Sequence, residues 1–219
     1  MGSHLTHIVW DWNGTLLHDV DAMLAAVNAS CAEAGLPPLT LDRYRDLFCV
    51  PVPRFYARLL GRVPTDIECR TMDASFYRHY EASTKNTVLA PGAKQLLVEW
   101  QEAGLTQSLC SLAPHESLVP LVRTHGIERH FVRVDGRKKQ TSTGKAEQLA
   151  HHVAALNVDP RRMVVIGDAL DDAVAASRAG ARAVLYTGGS HSRANLMSAG
   201  VPVVDTLAEA VQAAKRLSA

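Results

Sequence analysis

The sequence predicts an α/β fold in which a doubly wound parallel sheet is interrupted by an all-helical insertion. Two observations lead to this prediction. After residue 91, apolar runs of strand length alternate with amphipathic stretches that end near glycine, as in parallel strands joined by helices. Residues 18–87 instead keep the apolar spacing of helices throughout. We therefore divide the chain into a core, residues 1–17 and 88–219, and a helical insertion, residues 18–87.

The amino-terminal part contains one strand followed by helices. Residues 8–10 form an apolar run short enough for a buried strand, and the apolar residues of 19–35 lie on one face of a helix that Gly35 ends. Prolines at 51 and 53 separate the next two helices, while Pro64 and Thr65 open the last one. The further helices of the insertion are predicted at 40–48, 54–60 and 64–83.

The carboxyl-terminal part alternates helices with strands up to its end. Glycines at 104, 126 and 180 each end a predicted helix. Helices are predicted at 93–103, 115–125, 145–156, 171–179, 192–198 and 206–217, and strands at 105–111, 131–134, 163–167, 183–187 and 202–204. The stretch "TGGSHS" at 187–192 lacks the spacing of a phosphate-binding glycine loop and is interpreted as a connection.

Composition narrows the functional classes. The chain has 219 residues, 47% of them hydrophobic, and a formal net charge of +1, so neither nucleic acid nor a membrane surface is favoured as a partner. No apolar run reaches the ~18 residues of a membrane span, and the start leads directly into a strand, so we expect no signal peptide. The four cysteines are widely spaced and are expected to be reduced thiols of a cytoplasmic protein.

Polar side chains stand where the predicted strands end. Asp11 ends the first strand, Ser111 ends the strand at 105–111, and Asp168 ends the strand at 163–167. Asp171 and Asp172 open the next helix, and Lys145 opens the helix at 145–156. The carboxyl ends of parallel strands meet at one edge of the sheet, so we expect these groups to form one site.

The chemistry of these residues points to phosphate. Carboxylates that meet at one point cannot all stay ionised unless a cation balances them, and oxygen ligands favour Mg²⁺, which shares its shell with phosphate oxygens. Ser111 and Lys145 would add a hydroxyl and a positive charge facing that phosphate. Taken alone, Asp171 and Asp172 could be first-turn acids that the helix dipole favours. The ordered set of residues is what predicts a shared site.

That ordered set resembles the haloacid dehalogenase superfamily over nearly the whole chain. "DWNGT" is similar to its first motif, Asp-x-Asp-x-Thr, with Thr15 as the threonine. Ser111 resembles the second motif, Lys145 the third, and "GDALDD" the fourth, Gly-Asp-x-x-x-Asp. The helical insertion resembles the helical cap of the phosphoglycolate-phosphatase-like branch, which implies a Rossmann-like core beneath it.

The resemblance also implies residue roles. Asp11 would be the nucleophile and a Mg²⁺ ligand, Asp168 a further ligand, and Asp172 an acid at or just behind the metal. The backbone carbonyl of residue 13 would complete the protein's share of the ligands. Dehalogenases of this superfamily need no Mg²⁺, which the acid cluster at 168–172 argues against, and its sugar phosphomutases depend on an acid at position 13. Its phosphonate hydrolases use a lysine early in the cap, whereas the first lysine here is Lys85, at the far end. Phosphoester hydrolysis therefore remains.

Position 13 departs from the family pattern. The family carries there the general acid and base that protonates the leaving oxygen and then activates water, and the amide of Asn13 can do neither. Loss of such catalysis typically slows a reaction ~10²- to 10⁴-fold. A carboxylate of the insertion could substitute, and Asp19 and Asp21 lie nearest in the sequence.

The sequence therefore predicts a cytoplasmic, Mg²⁺-dependent phosphatase of small phosphorylated metabolites that acts through phospho-Asp11 and is slow. The alternative is a catalytically weak protein that binds a phosphate ligand or regulates a partner. Arg54, which follows the proline break, is our choice for a substrate-binding residue from the insertion. The natural substrate and the oligomeric state are not predicted.

Overall fold

The computed structural model describes residues 6–84, 87–138 and 144–217. Strands and helices alternate in the core, and the insertion consists mainly of helices, as expected from the sequence. The strands are β1 (His7–Trp10), β2 (Leu17–His18), β3 (Val88–Leu89), β4 (Thr106–Pro114), β5 (Val134–Arg137), β6 (Met163–Gly167), β7 (Arg182–Tyr186) and β8 (Val203–Val204). The helices are α1 (Val20–Glu33), α2 (Leu41–Leu47), α3 (Val52–Leu60), α4 (Asp66–Ser83), α5 (Ala93–Glu102), α6 (His115–Thr124), α7 (Lys145–Leu156), α8 (Leu170–Arg178), α9 (Arg193–Met197) and α10 (Leu207–Leu217).

A six-stranded parallel sheet forms the centre, in the order β5-β4-β1-β6-β7-β8. Strand β1 pairs with β4 on one side and β6 on the other over all of its residues. Every residue of β1 and β6 is buried, which explains their continuous apolar runs. The predicted α/β fold with a parallel sheet is therefore confirmed.

Helices cover both faces of the sheet, so the fold is doubly wound. Ile8 and Trp10 face a core to which α5, α6 and α10 contribute, with Leu97, Leu118 and Val211 among its buried side chains. The intervening Val9 faces the opposite core, which α7 and α8 close. Alternate side chains of one strand thus reach two separate cores.

The helical insertion has an apolar core of its own. Helices α1 and α4 pack together, and the buried side chains include Val27, Tyr44, Phe55 and Met72. Thr65 begins α4 with a capping box, in which its hydroxyl accepts from Glu68 N at 3.2 Å and Glu68 Oε2 accepts from Thr65 N at 2.7 Å.

A short antiparallel ribbon joins the insertion to the core. Leu17 of β2 pairs with Leu89 of β3, and Ala90 N donates to Leu16 O at 2.8 Å. The sequence analysis missed this ribbon, because strands of two residues carry no readable periodicity.

One predicted strand was placed too early. Residues 131–134 were predicted, whereas β5 spans Val134–Arg137 and follows a 3₁₀ turn at Glu128–His130. The error has a physical cause, since "VDGR" has the composition of a turn although Asp135 and Gly136 are buried in the structure. Among the described residues, no helix is long and apolar enough to cross a bilayer.

Candidate active site

Three carboxylates meet at the carboxyl edge of the sheet. Asp11 follows β1, Asp168 follows β6, and Asp172 lies in the first turn of α8. All three are buried, and one carboxylate oxygen from each lies within 4.8 Å of the others. The adjacent strands β1 and β6 fix this arrangement, since Asp11 N donates to Ile166 O at 2.9 Å.

Two glycines allow the backbone to come close to Asp168. A Cβ on Gly14, where φ is +69°, would lie 2.6 Å from Asp168 Oδ2, and a Cβ on Gly189 would lie 2.0 Å from the same oxygen. That oxygen accepts a hydrogen bond from Ser190 N at 2.7 Å, while Thr15 Oγ1 lies 3.4 Å from Oδ1. The loop after β7, interpreted from sequence as a connection, therefore orients an acid of the site.

Lys145 and Ser111 reach the same cleft as the acids. Lys145 Nζ forms a buried ion pair with Asp11, lies 2.9 Å from Asp172 Oδ1 and donates to Cys110 O at 3.2 Å. Ser111 accepts from Ala113 N at 3.0 Å and lines the cleft from β4. The structure thus brings together Asp11, Asp168, Asp172, Ser111 and Lys145 from four separate stretches of sequence.

Burial sets the protonation of the acids. Burial raises the pKa of Asp11 to about 7, against the opposing charge of Lys145. Burial, together with Asp11 and Asp172, holds the pKa of Asp168 well above its usual range. Burial and the charge of Asp172 raise the pKa of Asp171 to about 6. A buried set of oxygen donors that resists ionisation fits a hard divalent cation, which would restore the charged forms.

Asn13 lies beside the acids in a network built around its amide. Its Nδ2 donates to Asp19 Oδ2 at 2.8 Å and to the Tyr80 hydroxyl at 2.6 Å, and Tyr80 donates to Asp19. Asp19 Oδ1 also accepts from Gly14 N at 2.7 Å. Asp19 is 1% exposed, and burial raises its pKa. Both hydrogens of the Asn13 amide are used within this network.

The other sequence candidates lie elsewhere. Arg54 is exposed on α3 and does not line the cleft, so the structure does not bring this predicted substrate-binding residue to the site. Asp21 is exposed on α1, and Asp19 is buried behind Asn13 rather than facing the cleft. Tyr80 was missed, because nothing in the sequence links a residue of a long helix to an asparagine 67 positions earlier.

The insertion covers the site and contacts the loop that holds Asp168. Arg45, at the end of α2, donates to Gly189 O at 2.9 Å, and its own carbonyl accepts from Ser192 N at 3.2 Å. The rings of Phe48 and His191 pack edge to face at 5.3 Å. Beneath these contacts lies a cleft of about 290 Å³, with the acids on one side and side chains of the insertion on the other.

The comparisons with known proteins agree with this geometry. A family model described as haloacid dehalogenase-like hydrolase matches residues 5–180. A phosphoglycolate phosphatase of Cereibacter sphaeroides is 30% identical over 83% of this chain and 85% of its own. A phosphoglycolate phosphatase of Chromobacterium violaceum is 26% identical over 94% of this chain and 95% of its own. The crystal structure of a predicted phosphatase from Clostridium acetobutylicum covers 99% of this chain and 100% of its own with a TM-score of 0.83 at 17% identity.

Proposed function

The chain belongs to the haloacid dehalogenase-like hydrolases, and we propose that it is a Mg²⁺-dependent phosphatase that cleaves small phosphomonoesters through a covalent phosphate on Asp11. The observation that carries this proposal is the convergence of three buried carboxylates beside Lys145 and Ser111. The relatives named phosphoglycolate phosphatase support the class of reaction.

We propose that Asp11, Asp168 and Asp172 hold the metal, together with the backbone carbonyl of Asn13. This assignment rests on the buried, all-oxygen donor set and on the raised pKa values of Asp11 and Asp168. When bound, Mg²⁺ supplies positive charge that neutralises the acids and the phosphate oxygens.

The side chains of the site divide the remaining work. A carboxylate oxygen of Asp11 attacks phosphorus, the bond from phosphorus to the ester oxygen breaks, and the leaving oxygen takes a proton from solvent water, since Asn13 cannot supply one. Lys145, paired with Asp11 and Asp172, favours the ionised form of the nucleophile against the effect of burial, and Ser111 donates to a phosphate oxygen. Water then attacks phosphorus, which releases inorganic phosphate and restores the Asp11 carboxylate.

The helical insertion, residues 18–87, is proposed to act as a cap over the core. Its separate apolar core and its attachment through the β2–β3 ribbon support this division. Leu16 to His18 and Leu89 to Pro91 are the two crossings, so they are the proposed hinges for opening and closing.

We further propose that Asn13 makes the second half of the reaction slow. The amide neither gives up nor takes up a proton near neutral pH, and its hydrogens are already donated to Asp19 and Tyr80. Neither acid suggested as a substitute faces the cleft, since Asp21 is exposed and Asp19 lies behind Asn13. With p-nitrophenyl phosphate, whose leaving group departs without a proton, the phosphate on Asp11 should therefore form faster than it is hydrolysed.

Hydrolysis of p-nitrophenyl phosphate with and without Mg²⁺ tests the proposal. Wild type should turn over only with Mg²⁺, and Asp11→Asn should abolish the activity. Asp21→Asn is the matched control, because it removes an exposed acid outside the cleft. Tight binding of phosphate analogues by wild type without any turnover would instead favour the alternative, a protein that binds a phosphate ligand without hydrolysing it.

A further inference from the structure

We infer that the substrate is a phosphomonoester whose organic part is apolar and uncharged. This inference rests on the proposed function and names the substrate class of the same cleft. It separates this chain from its relatives named phosphoglycolate phosphatase, since phosphoglycolate carries a carboxylate in addition to its phosphate.

The wall opposite the acids is mainly apolar, although Ser30 and four tyrosines, Tyr44, Tyr56, Tyr77 and Tyr80, also contribute to it. Helices α1, α3 and α4 and the segment between α2 and α3 supply it, and its side chains include Val27, Val52, Phe55, Met72 and Phe76. The phosphate end of the cleft holds the charged residues, so the ester's organic part must lie against this wall. Removing an apolar group from water against such a surface is favourable, whereas removing a carboxylate is costly without a partner.

Among the described residues of the insertion, no arginine or lysine that could receive a second anion lines that wall. The insertion has seven arginines, and none of them lines the cleft. Arg45 donates to Gly189 O, and Arg78 pairs with Glu33, so these two are committed elsewhere. Among the described residues of the insertion, the charged side chain that does line the cleft is Asp73, which would repel a carboxylate.

Asp73 does not argue for a cationic substrate either. Its Oδ1 accepts a hydrogen bond from the Tyr56 hydroxyl at 2.6 Å, so the carboxylate already has a partner within the insertion. The aliphatic side chains that line the same cleft, such as Val27 and Met72, offer no hydrogen bond to a charged group.

One cation at the other side of the cleft bears on the inference. Arg137 ends β5 and lines the cleft from the core. It is exposed and pairs in the sheet with Pro114, three residues after Ser111, so it can add charge at the core side of the cleft. Among the described residues, Arg137 is the lining cation left for a second anion once Lys145 is paired with the acids, so its replacement tests this possibility.

The first test is a series of monoalkyl phosphates compared with phosphoglycolate in the presence of Mg²⁺. Each added methylene should raise kcat/KM about fourfold until the cleft is filled. Propyl phosphate, an uncharged counterpart of similar length, should be hydrolysed with a kcat/KM at least tenfold above that of phosphoglycolate. The inference would be overturned if kcat/KM did not change along the alkyl series. A preference for phosphoglycolate that Arg137→Gln removes would overturn it as well.

Binding to Asp11→Asn keeps this test independent of turnover. The same esters should bind this variant in the same order by calorimetry, even if the wild type proves to be inactive. If the wild type does not hydrolyse the esters but the predicted order of binding is observed, the result counts against the proposed function alone. Equal or tighter binding of phosphoglycolate would count against the substrate class.

A matched pair of variants locates the preference. Val52→Arg places a cation in the apolar wall and should raise kcat/KM for phosphoglycolate relative to propyl phosphate about tenfold or more. Val63→Arg adds the same charge at a valine of the insertion that is 83% exposed and should leave this ratio unchanged. Identical ratios in both variants would mean that the organic part lies elsewhere.

Discussion

At the scale of single residues, Asn13 controls the expected rate. Its Nδ2 lies 2.8 Å from Asp19 Oδ2, so an aspartate there would stand beside a buried carboxylate. Two carboxylates that share a site cannot both ionise, and one of them keeps a proton near neutral pH. Asn13→Asp would therefore create the protonated acid that the family places at this position.

We expect Asn13→Asp to hydrolyse the phosphate on Asp11 faster by ~10² or more, since general acid–base catalysis has about this effect. The decay of the phosphorylated enzyme in a single turnover measures it. Asparagine followed by glycine deamidates readily, so fresh protein is needed and residue 13 must be checked by peptide mass spectrometry. A fresh Asn13 enzyme that decays as fast as the variant would show that another group carries the proton.

The acids also give the metal a defined pH dependence. Without a cation the pKa of Asp11 is about 7, so Mg²⁺ must displace a proton below that pH. Mg²⁺ should therefore raise the melting temperature more at pH 8 than at pH 6. At a hundredfold excess over Kd, bound Mg²⁺ stabilises the fold by about 2.7 kcal/mol.

Asp168→Asn is the variant that should lose this stabilisation, with Asp21→Asn as its control. Both substitutions remove one carboxylate, but only Asp168 belongs to the buried set. An equal response of the two variants to Mg²⁺ would place the metal outside these acids.

At the scale of elements, the contact between α2 and the loop after β7 should stabilise the closed cleft. Arg45 bonds to Gly189 O from the insertion, while the neighbouring Ser190 N bonds to Asp168 from the core side. The same loop therefore contacts the insertion in the closed cleft and positions an acid of the site.

Arg45→Ala should raise KM about tenfold, because hydrogen bonds from a charged donor contribute ~1.5–3 kcal/mol. Arg43→Ala is the matched control, since Arg43 is exposed on the same helix. Steady-state kinetics with one ester decides the question. If the two variants share one KM, the contact does not hold the cleft closed.

The elements also show what a sequence can predict. The strand ends at Asp11, Ser111 and Asp168 could be read because apolar runs stop there and polar residues follow. The β2–β3 ribbon could not be predicted, because its strands have only two residues each. Strand β5 could not be predicted either, because Asp135 and Gly136 are residues typical of turns. Arg45 and Tyr80 could not be found either, because their contacts depend on how the insertion packs on the core.

At the scale of the whole molecule, a buried polar network crosses the sheet. His7 Nε2 and His152 Nε2 each lie 2.7 Å from Ser108 Oγ, and His152 Nδ1 lies 2.7 Å from Asp135. Ser108 is fully buried, so this network joins strands rather than meeting a substrate.

The network predicts acid lability. Burial, and then the charge of His152, lowers the pKa of His7 from 6.5 to about 4. As the pH falls, this histidine takes up its proton in the unfolded chain before it does so in the folded protein. The free energy of unfolding is therefore unaffected by this group above pH 6.5 and decreases towards pH 4, by up to about 3 kcal/mol. Urea unfolding at several pH values should show this slope, and His7→Gln should reduce it. A His7→Gln variant with the wild-type slope would assign the loss to other groups.

The central claim is that Asp11 carries the phosphate and that Asn13 delays its release. Intact-protein mass spectrometry after rapid mixing with a phosphomonoester and Mg²⁺ tests this most directly. Wild type should gain the mass of one phosphoryl group, mapped to Asp11, and should hold it longer than Asn13→Asp does. Asp11→Asn should gain nothing. Turnover of the ester with no phosphoryl adduct on wild type at any time, or an adduct that persists in Asp11→Asn, would contradict the account.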